Sequence, residues 1–408
     1  MKSDSYSLAE AAQILTKILK RTDTEAVPLD LAPGRVLGED LVADRMVPPF
    51  ARSPYDGYAL MGGDTAGATV SAPVTLAVTE EIRAGDVPKI PLTPGHAAKI
   101  LTGAPVPPGC DAVVKYETTT FTDKNVTISR VVAPGSNVIP AGEDMRAGQM
   151  LLARGHLIPP AVPGVLAALS RREVCVHRKP AVALICTGDE LTETGEPLPY
   201  GKIYNTSRYT IASYLESFGC RVAYTDTAPD NAAAIADTIA RYLPDVDMIV
   251  TTGGVSVGDY DKVRAAQALL GAATPLGDAY VPFASPSAIS ILADKLLLGL
   301  SGNPGTAAVT MLTFGAALVR HIGGRQEILP RKIRAQLTGP VKSKIGRTQT
   351  IRGSLSTENG TLRFTPAGDY YANGVISSLI HCDALGTVPA ETEALSAGDW
   401  IAGYELFI

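Results

Sequence analysis

This 408-residue sequence has few histidines, no paired cysteines and no excess of positive charge, and each shortage excludes a kind of chemistry. Its five cysteines, Cys110, Cys175, Cys186, Cys220 and Cys382, are scattered, odd in number and without a Cys-x-x-Cys pair. That usage fits a reducing compartment, makes no zinc ribbon, and reads as small core side chains. The five histidines form no cluster with cysteine or carboxylate at transition-metal spacing, so catalytic zinc is not expected. Lys and Arg number 36 against 41 Asp and Glu, the formal net charge is -5, and no basic block occurs. A nucleic-acid or membrane-surface partner is therefore not expected, and the ligand should be small. No apolar run approaches the roughly 20 residues of a membrane span, and residues 1–6 show no charged-then-apolar leader, so a cytoplasmic location is expected. The length calls for two to four domains, each with its own core.

What the sequence does have is a glycine turn, Thr251-Thr252-Gly253-Gly254-Val255-Ser256-Val257-Gly258-Asp259-Tyr260-Asp261. It follows the short β-branched run Met248-Ile249-Val250 and precedes 262–270, where apolar residues recur at helical spacing. Strand, turn and helix in that order put the turn at the carboxyl edge of an α/β sheet, where backbone amides and a helix dipole accept a phosphate. Asp259 and Asp261 would repel a bare anion, which points to Mg²⁺ shared between carboxylate and phosphate.

Taken in order, Ser7-Leu8-Ala9-Glu10 has capping-box spacing, and Leu8, Ala11, Leu15, Ile18 and Leu19 line one face of a helix reaching about Arg21. Short β-like runs at 74–78, 96–101, 112–116 and 126–132 predict a β insertion. Three of its loops stand out, carrying Asp56, Thr102 and the Gly142-Glu143-Asp144 acids. Residues 157–169 predict a helix entered through prolines, which rejoins the first helix in a discontinuous linker. From Pro180 strands and helices alternate: 182–186, helix 205–218, 221–225, helix 231–243, then 248–251, with a later strand 296–300 ending in Ser301-Gly302-Asn303-Pro304. Right-handed crossovers and a mostly parallel sheet follow, with every unusual loop on one edge. Beyond Gly323-Gly324, runs at 333–337, 349–355, 361–364 and 400–406 predict a small β domain, with hairpin-turn signals at Glu358-Asn359-Gly360 and Asn373-Gly374. The fold class is thus α/β plus β: a helical linker of 1–45 and 145–178, a β insertion of 46–144, an α/β domain of 179–327 and a carboxy-terminal β domain of 328–408.

Two enzyme signatures lack what they need. Gly254-Val255-Ser256-Val257-Gly258 matches a nucleophile elbow, but no histidine lies at the end of a later strand to serve as base. Thr187-Gly188-Asp189-Glu190 is not the Gly-x-Gly-x-x-Gly of a dinucleotide fold.

Together, Thr187-Gly188-Asp189-Glu190-Leu191, the 253–261 motif, Gly302-Asn303-Pro304, Asp56-Gly57-Tyr58-Ala59 and Thr102-Gly103-Ala104-Pro105-Val106-Pro107 resemble the molybdopterin molybdenumtransferase family, which includes the enzymatic end of gephyrin. The resemblance spans nearly the whole chain in the same order. It implies a homodimer whose α/β domain binds molybdopterin. It also implies a Mg²⁺-dependent cleavage of adenylylated molybdopterin in which molybdate, as substrate, delivers molybdenum to the pterin dithiolene and AMP leaves. Carried over residue by residue, the catalytic set is Asp259, Glu190, Asp189 and Asp56, with Asp259 and Glu190 as metal ligands. Substrate would be bound by Thr187, Gly188, Gly253, Gly254, Ser256, Gly258, Asp230, Thr102, Asp144, Ser301, Gly302 and Asn303, with Asp56, Thr102 and Asp144 coming from the partner protomer. The family's usual Lys-Pro-Gly-Lys-Pro is here Pro282-Phe283-Ala284-Ser285-Pro286, which sets a second expectation beside the first: a non-catalytic molybdopterin-binding carrier or scaffold, unless Lys262 or Arg208 supplies the missing cation.

Overall fold

The computed structural model describes residues 5–255, 262–277, 279–281, 283, 286–346, 348–368 and 374–406. The chain divides into two compact units, one of Met1–Glu39, Arg154–Pro160 and Glu173–Ile408, the other of Asp40–Ala153 and Ala161–Arg172.

The first unit is built on a five-stranded sheet in the order Arg221–Ala228, Ala181–Thr187, Met248–Thr252, Lys295–Leu300, Ser287–Leu292. The first four strands are parallel, and Ser287–Leu292 pairs antiparallel with Lys295–Leu300 at the edge. Every residue of Ala181–Thr187 and Met248–Thr252 is buried, as two-sided helix cover requires of central parallel strands. Alternation sorts their side chains between two cores. Val182, Leu184, Met248, Val250, Leu296 and Leu298 face the Thr206–Ser217 helix and the 304–322 helical run. Ala183, Ile185, Ile249 and Leu297 face the helices Ala232–Tyr242 and Lys262–Leu269.

The 304–322 run enters through Pro304 at its first turn and passes through a π turn at Met311–Gly315. Contrary to the expectation that no apolar run is long enough, Pro304–Ile322 has the length and hydropathy to cross a membrane. It is 89% buried inside the protein, because its apolar residues surround the helix and pack against the sheet on one side and neighbouring helices on the other. The same unit carries a closed barrel of Arg331–Leu337, Thr361–Pro366, Gln349–Glu358, Ala384–Val388 and Trp400–Glu405. Its Glu358-Asn359-Gly360 turn has φ of 49° at Asn359 and 76° at Gly360, the left-handed pair a tight hairpin needs. Asn373 lies outside the described residues.

The capping box forms as the spacing predicts: Ser7 Oγ accepts from the Glu10 amide and Glu10 Oε2 accepts from the Ser7 amide. The helix is shorter than expected, Leu8–Thr16, so Ile18 falls beyond it and is 40% exposed while Leu8, Ala11, Leu15 and Leu19 are buried. Those four dock on the α/β core itself, among Met248, Val250 and Leu318. Among the described residues, the segments expected as a helical linker hold two α-helices, of nine and seven residues, and one short 3-10 turn at Leu29–Leu31, and they also pair as strands: Thr24–Pro28 with Glu173–His177, and Leu41–Val42 with Met150–Leu152. They divide between the two units, and the pieces in the second gather Ala43, Met145 and Leu169, with Val47, Leu151 and Val165, into a small cluster of their own.

The second unit is a six-stranded sheet ordered Ala112–Lys115, Gly57–Leu60, His96–Ile100, Val74–Ile82, Asn125–Ile128, Thr119–Phe121. Tyr58, Leu60, Leu76, Val114 and Ile128 fill its core on one side, Ile82, Ile100 and Val113 on the other.

Candidate functional site

The chain leaves Ala181–Thr187 to add Arg221–Ala228 on one side, then crosses to add Met248–Thr252 on the other. The carboxyl ends of those two central strands therefore flank a topological switch point, where the two connections diverge and a crevice opens. A cavity of about 790 Å³ lies there, walled by Thr187, Gly188, Glu190, Asp230, Gly253 and Gly254, and by Ser301, Gly302 and Asn303 from the next strand end.

Its floor is made by close backbone approach. Gly188, Gly253 and Gly254 have φ of 146°, 93° and 60°, conformations L side chains rarely adopt. A Cβ on Gly253 would stand 2.1 Å from the Thr187 carbonyl oxygen, and one on Gly254 3.1 Å from Thr187 Oγ1 and 3.4 Å from Asp230 Oδ1. The Gly253 amide is already used, donating to the Leu300 carbonyl at 3.2 Å. Thr187 is 2% exposed and its Oγ1 has no hydrogen-bond partner among the described residues. A buried hydroxyl left so is costly unless a ligand or water meets it, and it borders the cavity.

The acids divide by role. Glu190 is exposed on the wall, its carboxylate turned back over Gly188, where a Cβ would lie 2.6 Å from Oε2. Asp230 is exposed on the facing loop. Asp189 does not line the cavity; its Oδ1 accepts from the Asp230 amide at 3.4 Å, and its carbonyl accepts from Lys202. Asp189 thus braces the loop that presents Asp230. The Ser301 hydroxyl is likewise spent on structure, accepting from the Asn303 amide at 3.2 Å.

No group of three or more His, Cys, Asp or Glu among the described residues is placed to hold a metal. What the wall offers is two exposed carboxylates beside an unpartnered hydroxyl, a donor set that suits a hard cation completed by water and substrate phosphate. Glu190 and Asp230 are the residues that would hold it. Asp259, Ser256 and Gly258 lie outside the described residues, as do Pro282, Ala284 and Ser285. Arg208, a candidate replacement cation, is committed elsewhere: Nη1 donates to Glu193 Oε2 at 2.7 Å and Nη2 to Thr225 Oγ1 at 3.1 Å.

In the second unit Asp56 and Thr102 come together. Asp56 Oδ1 accepts from the Thr102 amide at 2.7 Å and from its hydroxyl at 2.8 Å, and these bonds hold the carboxyl below its usual range. Beside them Lys115 Nζ lies 3.6 Å from the centre of the exposed Tyr55 ring. Asp144 is exposed on a separate turn, with its amide donating to the Val47 carbonyl.

Sequence reasoning missed the cavity's apolar wall. Leu198, Ile203, Tyr204 and Ile376 are exposed large side chains, unremarkable singly, yet all four border this cavity. Leu198 lies in a loop punctuated by Pro197, Pro199 and Gly201, Ile203 and Tyr204 form the two-residue strand that follows it, too short for periodicity to mark a face, and Ile376 comes from the barrel region. Exposed apolar residues inside a turn-rich segment were the signal available.

Three family matches cover most of the chain: "MoeA N-terminal region (domain I and II)" over residues 6–170, "Probable molybdopterin binding domain" over 183–321, and "MoeA C-terminal region (domain IV)" over 334–406. The chain is 33% identical to molybdopterin molybdenumtransferase 2 of Mycobacterium tuberculosis, with 98% of this chain and 99% of that protein covered. It is 33% identical to the molybdopterin molybdenumtransferase of Bacillus subtilis, with 95% and 91% covered. Its fold is similar to the crystal structure of a molybdopterin biosynthesis MoeA protein from Pyrococcus horikoshii, with TM-score 0.84, 26% identity and 99% of each chain covered.

Proposed function

The chain belongs to the molybdopterin molybdenumtransferase family, and from that premise we propose that it transfers molybdenum from molybdate to adenylylated molybdopterin with release of AMP. The observation that carries this reading is the switch-point cavity, in which left-handed glycines, an unpartnered buried Thr187 hydroxyl and the Glu190 and Asp230 carboxylates meet an apolar wall. A flat pterin packs on Leu198, Ile203 and Tyr204. The phosphates reach the glycine floor, where the lack of side chains at Gly253 and Gly254 lets them approach backbone and Thr187 Oγ1. Ser301 and Asp189 hold the turns that carry Asn303 and Asp230, so the wall keeps its shape when ligand arrives.

Mg²⁺, when bound, would supply positive charge at the phosphoanhydride bond whose cleavage releases AMP. Glu190 and Asp230 would hold that ion, with Asp259 the third carboxylate of the same reading. Asp56 and Thr102 act from a second protomer, which makes the working unit a homodimer, and the location is cytoplasmic. The full-length relatives carry the name of an enzyme, which favours catalysis over the carrier reading. The test is molybdate-dependent release of AMP from adenylylated molybdopterin by the purified chain. Binding of that substrate without release at saturating molybdate and Mg²⁺ would return the carrier reading.

A further inference from the structure

The first unit holds another cavity, of about 570 Å³, that shares no lining residue with the strand-end site. Five cations wall it, Arg35, Arg178, Lys179, Arg320 and Arg325, against one carboxylate, Glu216. Two of the five are answered locally: Arg35 pairs with Glu25 and Arg178 with Asp247 at 2.8 Å. Lys179, Arg320 and Arg325 have no ion pair among the described residues, although Glu327 acts on Arg325 from outside the wall.

Arg320 is the telling member. It is 4% exposed, its Nη1 reaches the Ile328 carbonyl at 3.3 Å, and its Nε–H has no acceptor among the described residues. The Phe218 ring, 5.7 Å from the guanidinium carbon, fixes it in place. Part of the charge has a structural use, because the helix ending at Ser217 and the one ending at Ile322 both present carboxyl ends here, and cations offset such ends. Each end carries roughly half a negative charge, so with Glu216 they cancel about two of the three unanswered cations. Positive charge remains, beside the low-dielectric faces of Val36, Leu157 and Val319 that strengthen it.

We propose that this cavity binds a tetrahedral oxyanion, with phosphate and molybdate as the two probes of that chemistry. The inference does not rest on the proposed reaction, since the charge and the orphaned donor are there whatever the other cavity does. It is tested by calorimetric titration of the full chain with sodium phosphate and, separately, sodium molybdate, at ionic strength held constant with sodium chloride. Lys179→Gln with Arg325→Gln, at an exposed and a half-buried position, should weaken one class of sites about tenfold or more per lost charge-assisted bond, and leave any binding at the strand-end cavity untouched. Lys179→Arg with Arg325→Lys should restore it. The anion whose isotherm responds is the one bound. Absence of saturable binding for both anions, or isotherms identical in the neutral double variant and the parent, overturns the proposal. Should the double variant fold poorly, Lys179→Gln alone, at an exposed position, serves as the same test with the same two outcomes.

Discussion

Gly253→Ala strikes the floor of the site where two strand ends meet. The new Cβ would stand 2.1 Å from the Thr187 carbonyl oxygen, 2.7 Å from its hydroxyl and 3.1 Å from its carbonyl carbon. Two of these contacts are with backbone, so no rotamer change relieves them. The strand ends must part by about 1 Å to reach an ordinary contact, and shifting a packed sheet by that much costs about 1–3 kcal/mol. The φ of 93° at this position adds about 1–2 kcal/mol for any residue with a Cβ. The expected loss is about 2–5 kcal/mol, seen as a lower urea midpoint, since the two contributions act together. AMP release should fall about a hundredfold, because a misplacement of about 1 Å among positioned groups costs that much. Gly302→Ala is the control: its Cβ would meet only the Gly253 Cα, at 3.4 Å, an ordinary contact, so its midpoint should stay close to the parent's. A Gly253→Ala protein with parental midpoint and parental AMP release would refute the claim that close backbone approach builds this floor.

Glu190→Gln should reduce AMP release at least tenfold while moving stability by no more than about 0.5 kcal/mol, as befits an exposed side chain; release unchanged at any Mg²⁺ concentration removes Glu190 from the mechanism. Asp247 tests the fold instead. Burial alone would raise its pKa, but two bonds from Arg178 and one from the Ala181 amide outweigh it, and the carboxyl is lowered. A lowered folded pKa means the stabilisation is present above the unfolded value of about 3.9 and is lost as pH falls through the folded one. Asp247→Asn should therefore cost about 1–2 kcal/mol near neutral pH and flatten the acid limb of the stability profile, an outcome that chemical denaturation from neutral pH down to acid will show or exclude. Light scattering at micromolar protein should return twice the chain mass; a monomer would leave Asp56 and Thr102 without the second active site assigned to them.

Where local chemistry decides the outcome, the linear sequence was enough. Ser7 and Glu10 define a helix start because the capping box closes within four residues, and Asn205 and Asn231 cap the helices that follow them. The apolar runs 182–186 and 248–250 read as buried strands because cover on both faces selects continuous apolar residues over alternation. Parallel strands then bring their carboxyl ends together, so Thr187, Gly188, Gly253 and Ser301 group on one edge from their order alone. Tertiary structure decided what depends on neighbours distant in the chain. It spent the Gly253 amide on Leu300, turned Asp189 into a brace for Asp230 and tied Arg208 to Glu193, because a hydrogen-bonding group joins whichever partner folding delivers. It also moved the first helix onto the α/β core, and gathered Leu198, Ile203, Tyr204 and Ile376 around one cavity. No periodicity encodes that last grouping, since Leu198 sits in a loop, Ile203 and Tyr204 form a strand of two residues, and Ile376 arrives from the barrel region, so only the folded chain's geometry brings their apolar surfaces to the same place.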